Sequence, residues 1–119
     1  MPTRLIAARE LAKLCAVFGH PDRVRIVEEL RLGERDVNSL QEALGGTHSR
    51  TSQNLAVLRA NRVVAERRDG RHVFYHLVYP EMADWLLGGL QFVEAALADV
   101  VQKRMAIEAA RQAWKPTQT

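Results

Sequence analysis

Residues 36–77 read DVNSLQEALGGTHSRTSQNLAVLRANRVVAERRDGRHVFYHL, and this stretch decides the fold. It opens with a helical pattern over residues 37–44, in which Val37, Leu40 and Leu44 fall on one side. Asp36 or Asn38 is placed to cap that helix. Gly45-Gly46 follows as a turn in which at least one residue needs a positive φ. Thr47 then stands as the N-cap of a second helix, running to about Ala60 or Asn61. From Val63 to Leu77 the residues become strand-like, interrupted by Asp69-Gly70. Asp-Gly between two such runs signals a two-residue type I′ hairpin. That register sets Arg68 opposite Arg71 and Arg67 opposite His72.

The second of these helices sorts by face. Thr51, Leu55 and Leu58, at i, i+4 and i+7, point inward. Ser49, Ser52, Gln53 and Ala56 form a separate stripe of small and polar side chains. Such a stripe lets a helix approach another surface closely, and its Ser and Gln groups can bond base edges or phosphates. The hairpin tip crowds arginines, and like charges directly opposite one another are destabilising unless an anion lies nearby. Between Thr47 and His76 there are six arginines and two acids. The formal net charge of the whole chain is +3, so all of its basic excess lies in this stretch. A helix-turn-helix with a basic hairpin, or wing, is suited to duplex DNA. The positions predicted to touch it are Ser49, Arg50, Ser52 and Gln53, with Thr47, His48 and Asn54 beside them, and Arg67, Arg68 and Arg71 on the wing.

Outward from this core lie helices at both ends. Leu5, Ala8, Leu11, Ala12, Cys15 and Phe18 recur at threes and fours, giving a first helix closed by Gly19. Pro21 opens the next, as proline does at a first helical position, and Val24, Ile26, Val27 and Leu30 give it a buried face. After the hairpin, Pro80 opens a last helix that runs to Trp114, with Gly88-Gly89 as a point of kinking or close packing. Leu86, Leu90, Val93, Leu97, Val100, Arg104 and Ile107 keep a four-three spacing, which is a heptad seam. A helix this long exceeds what one small domain can cover. Its far end is therefore expected to meet a second subunit, along Leu86, Leu90, Val93, Leu97 and Val100. The fold class predicted is mainly α with a small β-hairpin, a single domain over residues 1–119. Residues 20–77 form its winged helix-turn-helix core, flanked by helices over residues 1–18 and 79–115.

The composition fits: 119 residues, 47% hydrophobic but only 6% aromatic, is one mostly helical domain. No secretory leader or apolar run of about 20 residues is present, so the chain is expected to be cytoplasmic, away from membranes. The single cysteine, Cys15, allows no internal disulfide. On the apolar stripe of the first helix it reads as a small buried hydrophobe, or as a disulfide-forming redox switch if two first helices pair. His72 and His76 share a strand face but lie about 13 Å apart at about 3.3 Å per residue, too far for one ion. Trp85 and Trp114 read as core or dimer anchors. No nucleophile–base pair, phosphate loop or metal cluster is visible, so no enzyme activity and no cofactor is expected.

The run FGHPDRVRIVEELRLGERDVNSLQEALGGTHSRTSQNLAVLRANRVVAERRDGRHVFYHL resembles the ArsR/SmtB family of bacterial winged-helix repressors. The matching motifs come in order. They are the proline-opened helix with Arg23, Arg25 and Ile26, then V-x-x-L-x-x-x-L-G. Next is S-x-x-S-x-x-L-x-x-L-R at Ser49, Ser52, Leu55, Leu58 and Arg59, and then R-R-D-G-R-x-V-x-Y. The resemblance implies a homodimer built mainly from the first and last helices, with residues 1–18 (Leu5 and Leu11) and 79–115 as dimerisation helices, on an inverted-repeat operator in double-stranded DNA, released by an inducer. Many such proteins sense metals. One family site uses a C-x-C pair, where this chain has Asp36 and Asn38. Another falls at about Tyr79, Glu81, Phe92 and Ala95, of which only Glu81 could ligate. Soft-metal sensing needs thiolates or imidazoles, so both usual sites are expected to be missing. The signal then enters elsewhere, as an unidentified small molecule or a redox signal, or there is no inducer. The rival from another class is a winged-helix protein–protein module, against which the lack of aromatic anchors on the small polar stripe speaks.

Overall fold

The computed structural model describes residues 2–113. The elements are α1 (Thr3–Val17), α2 (Pro21–Leu30), β1 (Arg35–Asp36), α3 (Val37–Leu44), α4 (His48–Ala60), β2 (Val64–Asp69), β3 (His72–Leu77), α5 (Glu81–Leu87) and α6 (Leu90–Ala113). Contacts divide the chain into two units, Met1–Leu86 and Leu87–Thr119.

Within the first unit one core joins the helix-turn-helix to the sheet. Ile26, Val27 and Leu30 of α2 meet Leu40 of α3, Leu55 and Leu58 of α4, and Val63, Val64 and Leu77 of the hairpin base. Ile26, Val27, Leu40, Leu55 and Leu58 are 0% exposed. Burying a side chain of this size stabilises the fold by about 1.5–3 kcal/mol. Val17 and Phe18 close the core from the end of α1, and Trp85 of α5 meets Phe18 edge-on, ring centroids 6.4 Å apart.

Caps set the helix boundaries. Asp36 accepts a hydrogen bond from Ser39 N at 2.8 Å, and Thr47 Oγ1 accepts one from Arg50 N at 3.1 Å. Each satisfies an amide that the first helical turn leaves free. Gly45 takes the left-handed conformation after α3, φ 74°. Arg62 does the same after α4, φ 58°, and is the only non-glycine at positive φ among the described residues. There Val63 N bonds Leu58 O and Arg62 N bonds Arg59 O, the pair of bonds that closes a Schellman cap.

Three features depart from the sequence pattern. The sheet has three strands, not two, in the order β1-β3-β2, because Arg35 and Asp36 pair with Tyr75 and Phe74. The hairpin turn lies one residue later than expected, at Gly70-Arg71, so Arg68 faces Val73, Arg67 faces Phe74 and Asp69 faces His72. Gly70 takes the first loop position with φ 61°, while Arg71 is not at positive φ. That is the type II′ arrangement, which needs glycine only at its first position. The expected crowding of Arg68 against Arg71 is therefore absent, and the case for a nearby anion that rested on it falls away. Finally, the last helix is not continuous. It breaks at Gly88-Gly89 into α5 and α6, since paired glycines carry no side chain to hold the helix and lose the most freedom in it.

The terminal helices leave apolar groups in water. Leu5, Ile6 and Leu11 of α1 are exposed, and so is Cys15, against the expectation that it would be buried in this chain. In α6 no described residue is buried, and Leu90, Val93, Leu97, Val100 and Ile107 are all more than half exposed. Leu86 differs from them: it packs against the core. Trp114 lies outside the described residues. No helix among them is long and apolar enough to cross a membrane.

Candidate nucleic-acid interface

The start of α4, the start of α3 and the wing surround one polar cleft of about 300 Å³. Asn38, His48, Ser52, Arg68, Arg71 and Tyr75 are among its lining residues. Each element delivers its share for a local reason. The Thr47 cap begins α4 so that Ser49, Gln53 and Ala56 fall on its exposed side, while Thr51, Leu55 and Leu58 are buried. Ser52 is half-buried at the cleft edge, its hydroxyl 3.5 Å from His48 Nδ1. Strand alternation turns Arg68, Val73 and Tyr75 toward the cleft.

Not every predicted contact residue is equally free. Arg50 forms an ion pair with Asp22 of α2, 2.5 Å between Nε and Oδ2. Asn54 accepts a hydrogen bond from Arg23 Nε at 3.2 Å, and Arg23 also donates to Val17 O, so Asn54 helps hold α2 against α4. Arg67 gives one edge of its guanidinium, Nε and Nη2, to Glu34. Arg68 is 74% exposed and lies 3.8 Å from Glu66, which is nearer to Arg59, at 3.2 Å, and to the Tyr75 hydroxyl, at 3.3 Å. Arg71, Ser49, Gln53 and His48 stand exposed. The cleft's additional members include Asn38 and Tyr75, which local spacing did not mark, because they meet α4 only through the fold of α3 and the sheet.

Two electrostatic effects mark this region. Hydrogen bonds from Arg67 hold the Glu34 carboxyl below the ordinary value of 4.5, assisted by the positive charges of Arg67 and His76 and opposed by burial. Burial pushes the Tyr75 hydroxyl above its usual 10, and the Glu66 carboxylate adds to this through its charge and the 3.3 Å hydrogen bond it accepts. Among the described residues no group of three or more His, Cys, Asp or Glu side chains is arranged to hold a metal ion.

The likeness to known proteins follows the same elements. Residues 20–66 match the family described as bacterial regulatory proteins, arsR family. An uncharacterized HTH-type transcriptional regulator of Mycobacterium tuberculosis, Rv0081, is 36% identical over 91 residues, covering 76% of this chain and 80% of that protein. The crystal structure of M. tuberculosis Rv0081 matches with a TM-score of 0.72 at 34% identity, over 80% of this chain and 96% of that one. The transcriptional repressor BigR from Xylella fastidiosa matches with a TM-score of 0.67 at 30% identity, over 77% of this chain and 96% of that one. A homodimeric winged helix-turn-helix domain from Mycobacterium bovis shares the fold, with a TM-score of 0.69 at 22% identity over 82% and 90% of the two chains. The chain belongs to the arsR family of bacterial regulatory proteins: it is a DNA-binding winged helix-turn-helix transcriptional regulator and not an enzyme.

Proposed function

We propose that the chain is a homodimeric repressor that binds an inverted-repeat operator in the cytoplasm and works without the metal sites usual in its family. The observation that carries this is the face shared by α4 and the wing. Ser49 and Gln53 are exposed on α4, beside a polar cleft whose far wall bears Arg68 and Arg71. An α-helix fits a major groove about 12 Å wide, with small and polar side chains against the base edges. Gln53 and Ser49 then read bases, while Arg68 and Arg71 hold phosphates or the minor groove. The partner for the exposed apolar face of α6 is a second copy. That matches the repressor named BigR in function and the homodimeric relative in assembly. The positions where relatives with a C-x-C metal site would place thiols hold Asp36, engaged as a helix cap, and Asn38.

The test is a pair of gel-shift titrations, on an operator selected from genomic DNA and on a random duplex. Gln53→Ala weakens operator binding by about 1–3 kcal/mol, the worth of one good base contact, and random-duplex binding much less. Arg68→Ala weakens both alike. Equal losses for Gln53→Ala on the two duplexes remove it from base readout. No gain of operator over random DNA in the wild type refutes the repressor proposal.

A further inference from the structure

Arg67 lies in the basic wing, yet its geometry differs from that of Arg68 beside it. We propose that Arg67 is a positioning residue: with Glu34 it forms a clamp that fixes the tilt of the wing, and it acts on DNA only through that clamp. This rests on the wing being a DNA contact.

The contact itself is close. Arg67 Nη2 donates to Glu34 Oε1 at 2.6 Å, and Nε donates to Oε1 at 3.1 Å and to Oε2 at 3.2 Å. This is the fork-on-carboxylate arrangement that a lysine cannot copy. The guanidinium also sits over the ring of Phe74, its cross-strand neighbour, 4.7 Å from the centroid. One edge of the guanidinium, Nε and Nη2, is thus committed to Glu34 and its face to Phe74, while Nη1 lies 3.8 Å from Asp69 Oδ2. Contacts within the wing and with Glu34 therefore set where this side chain stands.

Topology shows what the clamp joins. The strand order is β1-β3-β2, so β2 has only β3 as a neighbour. Glu34 stands immediately before β1, whose two residues are tied to the helix-turn-helix. Arg35 bonds Ser39 Oγ through Nε at 2.9 Å and also pairs with Glu29, and Asp36 caps α3. Arg67 on β2 therefore reaches over β3 to a point anchored in the helical core. Two strand spacings amount to about 9.5 Å, within the span of an Arg facing a Glu. The sheet face matters too. Arg68, Val73 and Tyr75 line the cleft beside α4, whereas Arg67, Phe74 and His76 do not. His76 lies on the clamp side, its Nδ1 3.7 Å from Glu34. The clamp thus holds one face of the sheet while Arg68 and Arg71 present the other.

Signs separate this from a direct phosphate contact. The measurement is binding to a mixed-sequence 30-base-pair duplex, by fluorescence anisotropy over a range of salt, with circular dichroism to confirm folding. Removing a carboxylate near DNA should tighten binding on charge alone. The clamp requires that Glu34→Gln weaken it instead, by about fivefold at physiological salt for each phosphate the wing no longer reaches, with a shallower salt slope. Arg67→Ala weakens binding by the same factor, the double substitution weakens it no further, and Arg67→Lys does not restore it. Unchanged or tighter binding by Glu34→Gln overturns the clamp. So does wild-type affinity in Arg67→Lys when Arg67→Ala is weak, since a lysine serves as a phosphate contact but not as this fork. A wild type without affinity for any duplex overturns the DNA reading and the clamp's role together.

Discussion

Replacing Arg62 by glycine should make this protein more stable, although it deletes a whole charged side chain. Arg62 sits at φ 58° between α4 and β2, closing the Schellman cap whose amides reach Leu58 O and Arg59 O. A left-handed conformation costs a residue with a Cβ about 1–2 kcal/mol. Glycine removes that cost but gains about 0.4–1 kcal/mol of freedom in the unfolded chain, which opposes the change. The net is a stabilisation of about 0.5–1 kcal/mol, or a rise in Tm of about 2–5 °C for a chain of this length. Arg62→Ala is the control. It removes the same exposed side chain and keeps the Cβ, so its effect should stay within about 0.5 kcal/mol of zero. Both variants belong in thermal melts at one fixed protein concentration, because an associating chain has a concentration-dependent Tm. If Arg62→Gly is no more stable than Arg62→Ala, the strain assigned to this cap is not there. A fall in DNA affinity alongside the gain in stability would show that arginine is kept at a strained position for its charge.

Leu55→Ala empties a fully buried site between α4 and the sheet and should cost about 2–5 kcal/mol, read as a lower urea midpoint at unchanged m. Tyr75 gives the alkaline limb of stability. Its folded pKa is raised, so the stability it lends is complete below pH 10 and is lost as pH climbs through the higher folded value. Tyr75→Phe should flatten that limb, and an unaltered curve would remove the hydroxyl as its source. Leu97→Asp puts a charge in the exposed apolar face of α6 and should shift sedimentation from dimer to monomer and weaken operator binding. A dimer of wild-type strength in this variant would move the subunit interface elsewhere.

The helix-turn-helix was legible because its signals are local. Asp36, Gly45 and Thr47 sit next to the amides and φ angles they serve, and Thr51, Leu55 and Leu58 needed only the helical period to be placed inside. What was missed depended on distant partners. β1 is two residues long and exists only because β3, nearly forty positions later, offers it an open edge. The turn moved by one residue because Gly70 serves a type II′ loop as readily as Asp69-Gly70 serves a type I′ loop, and residues beyond the turn choose between them. Arg50, Asn54 and Arg67 looked alike in sequence as polar groups near DNA. Asp22, Arg23 and Glu34, each about thirty positions away, engage them. Of the candidate interface, then, the exposed face of α4 and the arginines at the wing tip could be read directly. Which polar groups were already occupied could not.

The strand order has one more consequence. Because β3 lies between β1 and β2, the outer edge of β2 offers the unpaired amides and carbonyls of Val64–Asp69 to any other extended chain. Open edges of this kind template aggregation, and charged side chains along them are a common deterrent. Four successive charges, Glu66, Arg67, Arg68 and Asp69, lie along this one. The wing arginines therefore guard solubility, apart from the DNA contact proposed for Arg68 and Arg71. Alanine variants that strip several of them at once should be checked for fibrils and precipitates before a failed gel shift is attributed to weaker phosphate binding.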